Sequence, residues 1–244
     1  RLQSWLFVFF NIITGEINSD KAEGFFVFSV WAQKIKNLEY RIKNCQVIYP
    51  GLPIPRVGQR HTRKRNSKQI KLLFVGVWFE RKGGRILLNA YRKLRLKYPQ
   101  VTLTILGELP FDVSIYRSEG VIHKNHVSYQ DLLSFYRTHD ILVHVPPEIE
   151  GYGMTVPEAM SYGMVPVVSD ICVLPEFVEH EKSGLIVKAG SVIELEKALT
   201  RLIRNETLRR NLSLGARKRF VARFSLPVFH KKLTAYFFEA INHY

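Results

Sequence analysis

Glu150 and Glu158 frame the stretch best suited to chemistry, Glu150-Gly151-Tyr152-Gly153-Met154-Thr155-Val156-Pro157-Glu158-Ala159-Met160. The glycines on either side of Tyr152 let the backbone turn tightly and come close to a ligand. Pro157 suits a first helical turn, where the amide it lacks would have no partner. A helix start offers unpaired N–H groups and the positive end of the helix dipole, which together attract an anion. A diphosphate is the natural guest. Glu158 would repel a phosphate that it faced directly. It is expected to reach sideways and accept hydrogen bonds from sugar hydroxyls, as acidic residues near dinucleotide sites do. The plain alternative is a glycine-rich turn whose glutamate merely complements a helix dipole.

A second stretch, Gly76-Val77-Trp78-Phe79-Glu80-Arg81-Lys82-Gly83-Gly84, also follows an apolar run and leads into a helix-like pattern. Arg81 and Lys82 stand where a strand hands over to a loop. Either can offset phosphate charge, arginine as a bidentate fork and lysine as a point charge. The competing reading is a solvated basic loop.

The elements that must position these residues alternate in type. Apolar runs at 72–75, 101–106, 141–145, 165–169 and 184–187 read as buried strands. Helical patterns fall at 86–98, 130–136, 156–162, 194–203 and 208–221. That alternation predicts a doubly wound α/β domain, a parallel sheet with helices on both faces. Ligands in such sheets bind beyond the carboxyl ends of the strands, here the residues after Val75, Leu106 and Val145. Upstream, strands are expected at 25–28 and 46–49 and a helix at 31–42. Pro50, Gly51, Pro53 and Pro55 then lead into a basic, apolar-poor run at 60–68, the composition of a linker or exposed loop. The run at 5–10 is too short to span a bilayer and reads as a core element.

The chain has 244 residues, 46% of them hydrophobic and 12% aromatic, enough for a sizeable core without disulfides or a structural metal. Cys45 and Cys172 match no zinc spacing, and their scarcity fits a reducing compartment. A net charge of +15 favours an anionic partner: a nucleotide phosphate, a phospholipid surface or a nucleic acid. The basic run at 60–68 lacks the interleaved aromatics of single-strand platforms, which argues against nucleic acid. The start at Arg1 suggests a piece of a longer chain.

Taken together, these residues resemble the group 1 glycosyltransferases, a large retaining family with the GT-B fold. Their Glu-x7-Glu signature runs here from Glu150 to Glu158, followed by Tyr162-Gly163-Met164-Val165-Pro166-Val167-Val168-Ser169. Phe74-Val75-Gly76 with Arg81-Lys82-Gly83, Tyr49-Pro50-Gly51, Gly184-Leu185-Ile186-Val187 and Arg223-Phe224-Ser225 fall where the family has similar runs. The resemblance implies that Glu158 holds ribose hydroxyls and Glu150 faces the donor sugar. It implies that Gly76 and the amides of Gly151, Tyr152, Gly153, Met154 and Thr155 approach the diphosphate, and that Arg81 and Lys82 stabilise its departure. Val127 stands where the family contacts the base through backbone. Two positions depart from the pattern: Val77 replaces an arginine of many relatives, and Pro146-Pro147 replaces the usual Pro-Ser.

The implied layout is the tail of an acceptor-binding domain at 1–48, a linker at 49–70, a Rossmann-like donor-binding domain at 71–225, and a helix at 226–244 crossing back. The aromatic face of that last helix, with Phe229, Tyr236 and Phe237, is expected to be left exposed. The implied activity is metal-independent glycosyl transfer from a nucleoside diphosphate sugar, which is a co-substrate; no cofactor is expected. The acceptor would be a carbohydrate or a lipid-linked sugar bound through the missing domain, on the cytoplasmic side with a peripheral membrane surface as a further partner. The rival readings are a nucleotide-sugar-binding module inactive alone and an epimerase of the same fold.

Overall fold

The structure is a computed structural model that describes residues 25–34, 45–55, 69–110 and 119–242. The expected core element at 5–10, the basic run at 60–68 and the 35–42 part of the expected helix lie outside the described residues.

Strands β1 (Phe25–Val27) and β2 (Cys45–Val47) form a small parallel pair. The main sheet contains β3 (Ile70–Val75), β4 (Val101–Leu106), β5 (Val121–Lys124), β6 (Ile141–His144), β7 (Val165–Ser169) and β8 (Leu185–Val187). All pairings are parallel, in the order β5-β4-β3-β6-β7-β8. Every residue of β6 and β7 is buried, which their near-continuous apolar runs require of central parallel strands. The helices are α1 (Gly84–Lys97), α2 (Tyr129–Thr138), α3 (Thr155–Ser161), α4 (Leu174–Phe177), α5 (Val192–Arg204), α6 (Glu206–Arg223) and α7 (Leu226–Asn242).

Period-two alternation divides the strands between two cores. Leu72 and Phe74 of β3 join Leu87, Leu94, Leu199 and Leu202 on the face covered by α1 and α5. Leu73, from the same strand, joins Met160, Phe177 and Phe220 on the face covered by α3, α4 and α6. Each such fully buried side chain contributes about 1.5–3 kcal/mol. Three helices start at side-chain caps: Ser128 accepts from Asp131 N–H, Ser191 from Glu194 N–H and Asn205 from Leu208 N–H.

The chain leaves β3 for one face and its neighbour β6 for the other. A crevice therefore opens beyond the carboxyl ends of these two strands, where open α/β sheets bind ligands. The strands and helices expected within the described residues are present with ends shifted by a few residues. β5 and α4 are additional elements that the sequence patterns do not mark.

The β1–β2 pair packs on the larger unit through few, specific contacts. Glu176 of α4 accepts from Val30 N–H at 2.8 Å, Trp31 N–H at 2.7 Å and Tyr49 Oη at 2.8 Å. It thereby caps the helical turn at 30–34. From α7, Tyr236 lies edge-on to Phe26 at 5.7 Å, and Glu239 accepts from Gln46 Nε2 at 3.1 Å. This corrects the expected aromatic face: Tyr236 is buried against β1, Phe229 is half-buried, and Phe237 alone of the three is exposed. Among the described residues no helix is long and apolar enough to cross a membrane.

Candidate functional site

The loop after β3 folds back on itself. Lys82 N–H donates to Trp78 O at 2.9 Å, and Gly84 N–H to Phe79 O at 2.8 Å. Buried Phe79 packs edge-on against Phe74 at 5.4 Å and pins the loop to the strand. Gly83 has φ 83°, and a Cβ there would stand 2.0 Å from Val145 O. Only glycine lets the loop lie this close to the end of β6. That approach carries Lys82 across the crevice to Glu150.

Glu150 is 1% exposed. Its two oxygens accept from Lys82 Nζ at 2.6 and 2.8 Å. Oε1 also accepts from Gly151 N–H at 2.9 Å, and Oε2 lies 3.2 Å from His144 Nε2. Burial alone would raise the Glu150 pKa. The hydrogen bonds from His144 and Lys82 outweigh it and bring the group down to about 2. Burial lowers the pKa of His144, against the opposing pull of Glu150. An ionised carboxylate only accepts, so the proton shared with His144 sits on Nε2. Nδ1 of His144 is buried without a partner. Among the described residues no group of His, Cys, Asp and Glu could hold a metal ion.

Arg81 is placed differently from Lys82. Its side chain is 39% exposed, with Nη1 4.0 Å from Glu150 Oε1 and 3.4 Å from Ile149 O. Its guanidinium lies 4.5 Å from the centroid of exposed Trp78. Gly76 opens the same loop, and a Cβ there would meet the Lys82 side chain at 3.0 Å.

Beyond Glu150, the amides divide. That of Gly151 donates to Glu150 Oε1 at 2.9 Å, which sets it apart from the four that follow. None of the hydrogen bonds among the described residues is donated by the backbone N–H of Tyr152, Gly153, Met154 or Thr155. Gly153 has φ 66°, and a Cβ there would meet Leu174 at 3.1 Å and His144 Nε2 at 3.6 Å. The Tyr152 ring packs on Phe177 at 5.1 Å and Phe28 at 6.3 Å, with its hydroxyl buried and unpartnered. Thr155 Oγ1 is likewise buried without a partner.

Glu158 is half-buried on α3, and its Oε2 accepts from Tyr136 Oη at 2.8 Å. Burial raises its pKa, and the tyrosine bond partly opposes this. The negative charge of Glu158 adds to burial in raising the pKa of exposed Tyr129. Half-buried Val127 follows β5, two positions before Tyr129, on the same carboxyl edge. The structure thus gathers Arg81, Lys82, Glu150 and the 151–155 turn at the crevice, while Val127 stands at the edge of the sheet. His144, Tyr136 and Tyr129 are additions. A histidine closing an otherwise aliphatic strand was the available signal for the first; the tyrosines give none in sequence.

The sequence model for "Glycosyl transferases group 1" matches residues 58–219. An uncharacterized glycosyltransferase of Haemophilus influenzae is 27% identical over 187 residues, covering 74% of this chain and 50% of that protein. The capsular polysaccharide biosynthesis glycosyltransferase CapM of Staphylococcus aureus is 26% identical over 190 residues, covering 72% of this chain and 49% of CapM. The chain spans about half the length of these curated relatives. Among solved structures, Anabaena HepE in complex with UDP-glucose superposes with a TM-score of 0.74 at 19% identity, covering 94% of this chain and 68% of HepE. The fold is the Rossmann-like α/β fold of GT-B glycosyltransferase structures.

Proposed function

We propose, because this chain belongs to the group 1 glycosyl transferases, that it forms the donor site of a retaining glycosyltransferase. One observation carries the reading: at the sheet's switch point a lysine held by a buried carboxylate stands beside an exposed arginine and a turn with unpaired amides. A diphosphate in that crevice would accept from the remaining Lys82 N–H, from the Arg81 fork and from the 152–155 amides. Glu158 would receive ribose hydroxyls on the oxygen that Tyr136 leaves open, with the Val127 backbone beside the base.

In the reaction the sugar C1–O bond breaks and the diphosphate leaves with the electron pair. Fixed donors at the leaving oxygens stabilise that charge as it develops, without reorganising. The acceptor hydroxyl bonds to C1 with net retention, and its proton passes to the departing diphosphate. Acceptor positioning supplies much of a two-substrate rate. The acceptor half, for a carbohydrate or lipid-linked sugar at the cytoplasmic membrane face, is the share of the relatives' length that this chain does not span. The chain alone is therefore expected to bind donor without turning it over.

The test is calorimetric titration of this chain with UDP-, GDP- and ADP-sugars, with and without EDTA. UDP-glucose is the first choice, since HepE was solved with it. Saturable binding of one donor, unchanged by EDTA, is the expected result. Binding of none, or binding abolished by EDTA, would refute this account of the site.

A further inference from the structure

We propose that His144 is a positioning residue: its hydrogen bond to Glu150 fixes where the Lys82 ammonium stands. The proposal rests on the donor-site reading above.

His144 ends β6 and is 1% exposed. Its Nε2 is 3.2 Å from Glu150 Oε2, the oxygen that also accepts from Lys82 at 2.8 Å. On Oε1 the carboxylate is steadied by the Gly151 amide. Glu150 is therefore held at both oxygens by groups on the rigid end of β6 and on the turn that follows. Lys82 comes from a different loop and has only this carboxylate to define its place; no other bond from its Nζ exists among the described residues. Without the histidine bond the carboxylate keeps one fixed anchor and can rotate about it, and the ammonium moves with it. Gly153 lies beside the same nitrogen, since a Cβ there would be 3.6 Å from Nε2. Nδ1 has no partner, so the one hydrogen bond of the ring among the described residues is the one to Glu150.

Glutamine and methionine separate donation from packing. The two side chains are of similar length, and only glutamine can donate near the position of Nε2. The complete chain is prepared as wild type, His144→Gln and His144→Met, and each is titrated with UDP, GDP, ADP and the matching nucleosides. His144→Gln is expected to stay within about threefold of wild type for the diphosphate. His144→Met is expected to weaken it about tenfold, as loss of a hydrogen bond to a charged group predicts. Nucleoside affinity should not change in either, because the ammonium meets only the phosphates. Equal affinities for the Gln and Met variants, or parallel loss of nucleoside and diphosphate, would overturn the proposal. Should His144→Met not fold, His144→Asn replaces it, since its shorter amide stops short of Glu150. A wild-type chain that binds no nucleotide removes the donor-site reading itself. Tight diphosphate binding indifferent to the Met variant removes only the role of His144.

Discussion

Removing Glu158 gives the sharpest test of where a nucleotide would lie. One carboxylate oxygen is occupied by Tyr136 Oη at 2.8 Å, and the other has no partner among the described residues. If that oxygen receives ribose hydroxyls, Glu158→Ala removes hydrogen bonds to a charged acceptor, worth about 1.5–3 kcal/mol. Affinity for the nucleoside diphosphate should fall roughly ten- to a hundredfold. The same change strands the buried Tyr136 hydroxyl, which costs about 1–3 kcal/mol of stability, so titrations must be run well below each variant's melting temperature. Pairing the variant with a ligand that lacks the 2′ and 3′ hydroxyls isolates the contact. Wild type should bind the dideoxy ligand about as weakly as Glu158→Ala binds the ribo ligand, and the variant should hardly distinguish the two. Glu158→Gln keeps the shape and one acceptor oxygen, and should fall between. If the variant discriminates ribo from dideoxy ligand as wild type does, Glu158 does not touch the ribose.

Two further outcomes follow from the same contacts. The Glu150 pKa, brought from 4.5 to about 2, means that its pairing stabilises the fold fully above pH 4.5 and is lost as pH falls toward 2. Glu150→Gln should therefore flatten acid unfolding over that window by up to about 3 kcal/mol, and an unchanged pH profile would refute the pairing. Glu176→Ala takes the acceptor from Val30 N–H, Trp31 N–H and Tyr49 Oη. Amide exchange at residues 30 and 31 should accelerate about tenfold or more while β3 and β4 stay protected, and unaltered exchange there would show that Glu176 does not hold the β1–β2 pair.

The sheet was legible because its strands carry their own signal. Ile141–His144 and Val165–Ser169 are apolar up to their last residues and lie between Gly, Pro and Asp punctuation, so their place at the centre follows from composition. β5, Val-Ile-His-Lys, is a half-exposed edge strand with neither a continuous run nor clean alternation, and α4 is a single turn with no room for a period. At the site, glycine positions and charges reveal which loops matter but not which groups pair across them. Nothing local to Lys82 announces a partner 68 positions away. The Gly151 amide shows the same limit. A glycine after a glutamate reads as open backbone, and only the folded loop shows it turned back onto its neighbour's carboxylate.

That pairing changes what the two cations do. Arg81 and Lys82 are adjacent and look equivalent as sources of positive charge. Lys82 is 17% exposed and matched by a buried carboxylate, so the pair brings little net charge to the crevice. Desolvating two ions is costly even when they pair, so stability alone is a weak reason to keep such a pair. What it supplies is position: an ammonium whose stem and head are fixed before any ligand arrives. On the proposed donor-site reading, the net attraction would come from Arg81, half in solvent and over the Trp78 ring, and from the amide turn. An exposed guanidinium is screened by salt and an oriented buried donor much less so. If the crevice takes a diphosphate, the early, salt-sensitive part of its capture would fall to Arg81. The part that acts on the developing charge at the leaving oxygen, where preorganisation counts, would then fall to Lys82.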